Sequence, residues 1–165
     1  MVTNSSKTQL ENLPIDELSE GLSRQYSKQL TERDVILFAA TSGDVNPVHL
    51  DATYAATTTF GEPIGHGMWT GALVSAAIAT TLPGPGSIYR GQSLQFKKPV
   101  KIGDTITVTL TVESIRARVA LVTLKCEAHN QHNVLVATGT AEVIAPKQKQ
   151  RLHIKPLPLI TLEEV

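Results

Sequence analysis

Residues 42–50 read SGDVNPVHL and place an aspartate, Asp44, five residues before a histidine, His49. A carboxylate and an imidazole held on one water can take a proton and return one near neutral pH. Between them, Pro47 fixes its own φ and favours an extended Asn46, so the segment joining the two side chains is stiff. The same residues are also ordinary turn formers. Judged by spacing alone, the segment is either a turn or an acid–base pair.

A second candidate lies where His66 and Gly67 precede a long apolar segment. Backbone N–H groups at the start of a helix carry partial positive charge, so the Gly67 N–H could hold an oxygen that becomes negative during a reaction. Ser75 follows eight residues later, about 80° from Gly67 around an ideal helix, and its hydroxyl could line the same pocket. The alternatives are a glycine required only by loop geometry and a serine bonded to its own helix.

Other chemistries fit the sequence less well. No serine lies in the Gly-x-Ser-x-Gly elbow of a nucleophilic triad. His49 and His66, with an aspartate, lack a recognised metal-ligand spacing, so we predict no metal and no other cofactor. Arg90, Lys97 and Lys98 could meet an anionic ligand, although lysines beside a strand end are ordinarily a solvated face.

Composition excludes several classes of partner. The chain has 165 residues, of which 41% are hydrophobic, enough for one domain with a substantial core. Its formal net charge is zero, so no overall field favours nucleic acid or an anionic membrane. The apolar segment 67–82 is too short to cross a bilayer, and residues 1–10 lack the apolar run of a secretory signal. The only cysteine, Cys126, fits a core position in a cytoplasmic protein.

Three helices are predicted before the strand-rich second half. Thr31, with an acidic residue three positions later, predicts a capped helix over 32–41. Asp51 predicts the start of a short helix over 51–57. Residues 68–80 carry no charge on any face, so we expect this helix to be surrounded by protein.

Alternating apolar and polar residues predict antiparallel strands with one buried face. The segments are 21–30, 94–97, 105–112, 122–127 and 134–144. A charge-free helix followed by such strands predicts an α+β fold in which a curved antiparallel sheet wraps around the helix. We predict three parts of the chain: an N-terminal segment 1–20, a domain 21–145 and an extended tail or linker 146–165.

The candidate residues also carry a family resemblance. The chain resembles the MaoC-like (R)-specific enoyl-CoA hydratases, known as hydratase 2, over about residues 20–145. The matching segments are FAATSGDVNPVH at 38–49 followed by Ala55, PIGHGM at 63–68, LPGPGSIY at 82–89, GQSLQF at 91–96, PV at 99–100 and GD at 103–104.

The resemblance implies a hot-dog fold, an antiparallel sheet around a central helix, paired as a homodimer or built into a higher oligomer. It implies a hydro-lyase of fatty acid metabolism that adds water to a trans-2-enoyl-CoA and yields the (R)-3-hydroxyacyl-CoA. Asp44 and His49 match the catalytic pair, and Gly67 matches the glycine whose N–H polarises the thioester. Asn46 matches an orienting residue, while His66 and Ser75 match substrate-binding positions.

Three alternatives stay open at this point. The same residues could dehydrate an (R)-3-hydroxyacyl thioester on CoA or acyl carrier protein. Other hot-dog proteins hydrolyse acyl-CoA thioesters, and a non-catalytic acyl-thioester-binding module is a further class. The proline-spaced basic tail 146–165 resembles the linker that follows MaoC-like domains fused to phosphate acyltransferases.

Overall fold

The computed structural model describes residues 9–162. A five-stranded antiparallel sheet has the order β2-β4-β5-β6-β3, and β1 pairs with β7 in a separate two-stranded sheet. The strands are β1 (Gln9–Glu11), β2 (Ser23–Gln29), β3 (Ile88–Phe96), β4 (Thr105–Arg116), β5 (Leu121–His129), β6 (Leu135–Ile144) and β7 (Arg151–His153). The helices are α1 (Glu32–Ser42), α2 (Pro47–Leu50), α3 (Ala52–Ala56) and α4 (Gly67–Thr80). The predicted α+β hot-dog architecture is confirmed.

The main sheet follows from the alternation of its residues. In β4 and β5 every second side chain is buried against α4, and the intervening threonines and charged residues face outward. β5 is the central strand, with β4 and β6 on either side. The buried faces of these strands and one side of α4 form the hydrophobic core.

The helices before α4 begin where capping residues place them. Thr31 and Asp34 form a reciprocal capping box at the start of α1, and Gly43 ends the helix at a φ of 78°. The Asp51 carboxylate accepts the N–H groups of Thr53 and Tyr54 and so caps α3. α2 is a single turn that the sequence pattern did not separate from its surrounding loop.

Helix α4 is only partly surrounded in this chain. Trp69, Leu73 and Val74 pack into the core. A stripe along the opposite side is open, which differs from the expectation of a helix covered on every face. The stripe consists of the exposed Met68, Ala72 and Ala79 and the half-buried Ser75 and Ala76. A charge-free sequence indicates that every face of a helix is apolar. It does not indicate whether the same chain or a second chain covers each face.

The tail returns to the N-terminal segment. After β6 the chain runs back so that β7 pairs with β1, and Asn12 joins the two segments as a completely buried residue. Its amide donates to the carbonyls of Pro85 and Gln148, each at 3.0 Å, and its oxygen accepts the Gln150 N–H at 2.8 Å. The predicted boundaries at residues 20/21 and 145/146 stay predictions. Residues 1–8, on which part of the predicted N-terminal segment falls, lie outside the described residues.

Cys126 is buried in the core, as predicted. Burial, with a smaller contribution from Glu113, raises the pKa of its thiol to about 12. The thiolate is therefore not populated near neutral pH. Among the residues that the structure describes, no helix has the length and apolarity to span a bilayer.

We predict that Asn12→Ala lowers the free energy of unfolding by about 1–3 kcal/mol, because it deprives two carbonyls and one N–H of their partner in the joined segments. Urea unfolding followed by circular dichroism measures this change. Lys147→Ala is the matched control, since Lys147 is an exposed residue of the same returning segment. Equal stability of the two variants would contradict the role of Asn12 in holding the N-terminal segment and the tail together.

Candidate active site

The segment SGDVNPVHL folds as a turn that leads into α2. The Asp44 carboxylate accepts the Asn46 N–H at 3.2 Å, and the Asn46 side chain accepts the Val48 N–H at 3.2 Å as the N-cap of α2. Pro47 occupies the first turn of that helix, where its missing N–H costs nothing. The predicted stiff loop is therefore stabilised by two hydrogen bonds from backbone N–H groups to side chains, and His49 lies on α2.

Asp44 and His49 face one another across a short gap. The distance from Asp44 Oδ2 to His49 Nε2 is 3.9 Å, too long for a direct hydrogen bond and short enough for one water to contact both atoms. The Asp44 side chain is 51% exposed and that of His49 only 10%. The imidazole is thus fixed inside the protein, while the carboxylate reaches it from the solvent side.

The hydrogen bonds of His49 define its tautomer. Its Nδ1 lies 2.8 Å from the carbonyl oxygen of Ile64. A carbonyl oxygen can only accept, so Nδ1 carries the hydrogen. In the neutral ring, Nε2 then carries the lone pair and points toward Asp44. The imidazole is oriented to exchange a proton on the side where the carboxylate lies.

His66 lies beneath this pair as a buried residue, 2% exposed. Its ring stacks on that of His49 with centroids 3.9 Å apart, and Phe38 contacts it at 5.0 Å. Its Nε2 donates to the backbone oxygen of Asp44 at 3.0 Å. The other ring nitrogen, Nδ1, is shut off from solvent and has no hydrogen-bond partner among the described residues. His66 therefore fixes both the Asp44 turn and the His49 ring, and the predicted contact of its side chain with substrate stays a prediction.

A cavity of about 350 Å³ opens beside these residues. Gly67, the first residue of α4, lines it together with His49 and His66. Aromatic and aliphatic side chains form most of the remaining wall, and two lysines complete it. These further residues are Phe60, Ile64, Gly65, Thr70, Phe96, Lys97, Lys98, Pro99, Val100 and Val136.

The start of α4 differs from the starts of α1, α2 and α3, each of which has a side-chain cap. No side chain caps α4 within residues 9–162, and its first turn contains no acidic residue. The positive end of this helix is therefore not compensated by its own sequence. Because Gly67 lines the cavity, the positive end of α4 faces any molecule that binds there.

The structure brings together four of the six sequence-predicted residues: Asp44, His49, His66 and Gly67. His49, His66 and Gly67 line the cavity, whereas Asp44 does not line it and faces His49 from the solvent side. Asn46 acts on their geometry from the cap of α2 and does not line the cavity. Ser75 is half-buried two turns along α4 and does not line it either, so its substrate contact stays a prediction. Thr70 lines the cavity although the sequence patterns did not single it out. A threonine within a charge-free helix carries no signal of its own.

A metal ion is geometrically conceivable at the same place. Asp44, His49 and His66 each offer one ligand atom, and these atoms lie within 4.8 Å of one another. His49 Nδ1 and His66 Nε2 each donate to a backbone carbonyl, and the remaining His66 nitrogen, Nδ1, is shut off from solvent. Ligation of one ion by both rings would therefore require a hydrogen bond to break or a buried nitrogen to be uncovered. The arrangement therefore fits proton exchange better than metal binding.

The model of the MaoC like domain family matches residues 16–134. The chain is 42% identical over 131 residues to an (R)-specific enoyl-CoA hydratase of Rhodospirillum rubrum, covering 79% of this chain and 90% of that protein. It is 38% identical over 147 residues to a 3-hydroxybutyryl-CoA dehydratase of Methylorubrum extorquens, covering 86% and 90%.

Among solved structures, the chain is similar to the unliganded R-hydratase PhaJ1 of Pseudomonas aeruginosa, with 49% identity and a TM-score of 0.90. The match covers 94% of this chain and 99% of that one. A match this long includes part of the tail 146–165. Part of the tail therefore has a counterpart in that R-hydratase structure.

We predict opposite tautomers for the two stacked histidines. In their neutral forms, His49 carries its hydrogen on Nδ1 and His66 on Nε2, because each donates to a carbonyl. Long-range ¹H–¹⁵N correlation spectra of the ring nitrogens distinguish the two forms. The exposed His132 supplies the reference spectrum of a solvated ring. An Nε2–H tautomer at His49 would contradict the assigned orientation.

Proposed function

The chain belongs to the MaoC-like domain family, and from this membership we propose that it adds water to the double bond of a trans-2-enoyl-CoA to form the (R)-3-hydroxyacyl-CoA. The observation that carries the proposal is the facing pair of Asp44 Oδ2 and His49 Nε2 beside a cavity that the start of α4 also lines. The proposal places the enzyme in the cytoplasm, in keeping with its single buried cysteine.

In the proposed reaction, Asp44 and His49 hold one water against C3 of the enoyl chain. The pair removes a proton from that water as its oxygen bonds to C3, and a proton from the pair is delivered to C2 on the same face. We assign the two roles to the pair as a unit, because both groups face the position of the same water. No cofactor enters the balance, since the water supplies both the hydroxyl and the hydrogen.

Negative charge develops on the thioester oxygen while the C3–O bond forms. We propose that the Gly67 N–H and the uncapped end of α4 stabilise this oxygen. A glycine suits the position because a Cβ there would come within 3.3 Å of the Phe96 ring, which covers it. The donors are backbone groups already in place, so no reorganisation is needed as the charge appears.

The remaining wall suits an acyl-CoA. Phe60, Ile64 and Val136 offer an apolar surface to the acyl chain, and Lys97 and Lys98 give the cavity a positive side in a chain with zero net charge. A phosphate-bearing thioester matches this division into an apolar and a cationic region. The similarity to a 3-hydroxybutyryl-CoA dehydratase favours dehydration as the second candidate, and it uses the same atoms in reverse.

We predict that Asp44→Asn and His49→Ala each lower the rate of crotonyl-CoA hydration by about 10²- to 10⁴-fold, the usual contribution of a positioned acid or base. The loss of absorbance of the conjugated enoyl thioester measures the rate, and chiral chromatography identifies the (R) product. His132→Ala, at an exposed histidine, is the control. Near-normal turnover in both site variants would overturn the assignment, and release of free thiol without hydration would favour a thioesterase.

We further propose that two copies of the chain form a homodimer through β3 and the open stripe of α4. β3 is an edge strand of nine residues, paired only with β6, and nearly all of its side chains are exposed. Phe96 at its end is 50% exposed and Met68 on the stripe 61%. A long, unprotected edge beside an apolar stripe is a surface that folded proteins ordinarily cover.

We predict that the chain sediments with about twice its mass of 17.8 kDa and that Ala72→Glu shifts it to the monomer, because the new carboxylate would be buried without a partner. Analytical ultracentrifugation measures both masses. Ala117→Glu, at an exposed alanine in the turn between β4 and β5, is the matched control. A monomeric wild type, or a dimer that tolerates Ala72→Glu, would exclude this interface.

A further inference from the structure

We propose that the hydroxyl of Thr70 is a second donor to the thioester oxygen of the substrate, acting beside the Gly67 N–H. The inference rests on the proposed hydration reaction and adds a catalytic residue that contacts the reacting thioester. Two observations carry it, the burial of Thr70 in the cavity wall and the absence of a hydrogen-bond partner for its hydroxyl among the described residues, and helix geometry adds the direction of the side chain.

Thr70 is almost completely buried and still touches open space. It is 2% exposed, and it lines the cavity that His49 and Gly67 also line. Among residues 9–162, His66 Nδ1 is the only buried side-chain nitrogen or oxygen that lacks both a hydrogen-bond partner and contact with solvent. The Thr70 hydroxyl forms no side-chain hydrogen bond with the described residues, yet it is not among the atoms shut off from solvent. It must therefore be accessible from outside the protein. Because Thr70 lines the cavity, we take the cavity to be the place from which the hydroxyl is reached.

Three other threonines in or just after helices behave differently. Thr41 in α1, Thr80 in α4 and Thr81 after it each donate their hydroxyl to the carbonyl four residues earlier, at 3.0, 2.6 and 2.6 Å. This bond is the usual way in which a threonine satisfies its hydroxyl within a helix. Thr70 does not make the corresponding bond to His66. Its hydroxyl is therefore left available for a group in the cavity.

The helix geometry directs this hydroxyl toward the oxygen that Gly67 would hold. Side chains on an α-helix lean toward its N-terminus and cover the preceding turn. Thr70 lies one turn after Gly67, so its side chain projects over the first turn of α4. An N–H and an O–H then approach the same region of the cavity from one helix end, which is the arrangement of a two-donor oxyanion site.

The position of Thr70 also separates it from the other hydroxyl of α4. Ser75 lies five residues further on, about 140° around the helix from Thr70. The two hydroxyls therefore cannot reach one oxygen from this helix. Ser75 lies on the open stripe assigned to the dimer contact, and Thr70 lies on the cavity side.

Thr70→Val tests the inference because it removes the hydroxyl and retains the shape of the side chain. We expect kcat for crotonyl-CoA hydration to fall by about 10- to 100-fold with KM changed by less than about threefold, as for a hydrogen bond that strengthens with developing charge. Thr70→Ser retains the hydroxyl and should recover most of the lost kcat. Thr80→Val, which removes a hydroxyl bonded within the same helix, should retain the wild-type kcat.

The outcomes distinguish a catalytic role of Thr70 from a structural one, and they distinguish a failure of this role from a failure of the proposed function. Thermal melting shows whether each variant is folded, and Thr70→Ala serves as the second hydroxyl-free variant if valine does not pack. A folded hydroxyl-free variant with wild-type kcat would overturn the role of Thr70, as would a Thr70→Ser enzyme as slow as Thr70→Val. A wild-type chain that does not hydrate crotonyl-CoA would overturn the proposed function and this role with it.

Discussion

The geometry of the site depends on His66, a buried histidine that is connected to three other parts of the site. His66 bonds to the backbone oxygen of Asp44, stacks on His49 and is joined covalently to Gly67. The turn and the short helix α2 are adjacent in sequence, whereas α4 begins after a further helix and loop, and His66 connects all three. Catalytic groups act best when their positions are settled before substrate arrives. His66 contacts the turn and α2 through its side chain and adjoins α4 through its backbone, so one residue fixes the three relative to one another.

Sequence patterns predicted the parts of the molecule that depend on local rules. Helices α1 and α3 begin at Thr31 and Asp51 because a side-chain cap needs only residues within one turn. β4 and β5 follow from alternation, which needs only a buried face. The spacing of Asp44 and His49 could not choose between a turn and a site, and the structure shows why: the same caps that make the turn also orient the pair.

Long-range contacts could not be predicted in this way. The pairing of β1 with β7 and the buried Asn12 join segments more than 130 residues apart, which no local pattern encodes. Helical angles place Ser75 within about 80° of Gly67, but they do not show which residues of α4 line the cavity. Thr70 lines it, and the substrate contact of Ser75 stays a prediction. The open stripe of α4 could not be predicted for a related reason. An apolar helix face does not indicate whether the sheet of the same chain or another chain covers it.

The absence of charge on α4 serves both its packing and its chemistry. A helix inside a curved sheet cannot carry ionised side chains on its buried face without partners, so its sequence is limited to apolar and small residues. The first turn of α4 also lacks the acidic residues found in α1, where Glu32 and Asp34 compensate the helix end. The positive end of α4 therefore has no acidic side chain in its own first turn to neutralise it. One charge-free composition thus permits both the burial of the helix and the proposed stabilisation of an oxyanion.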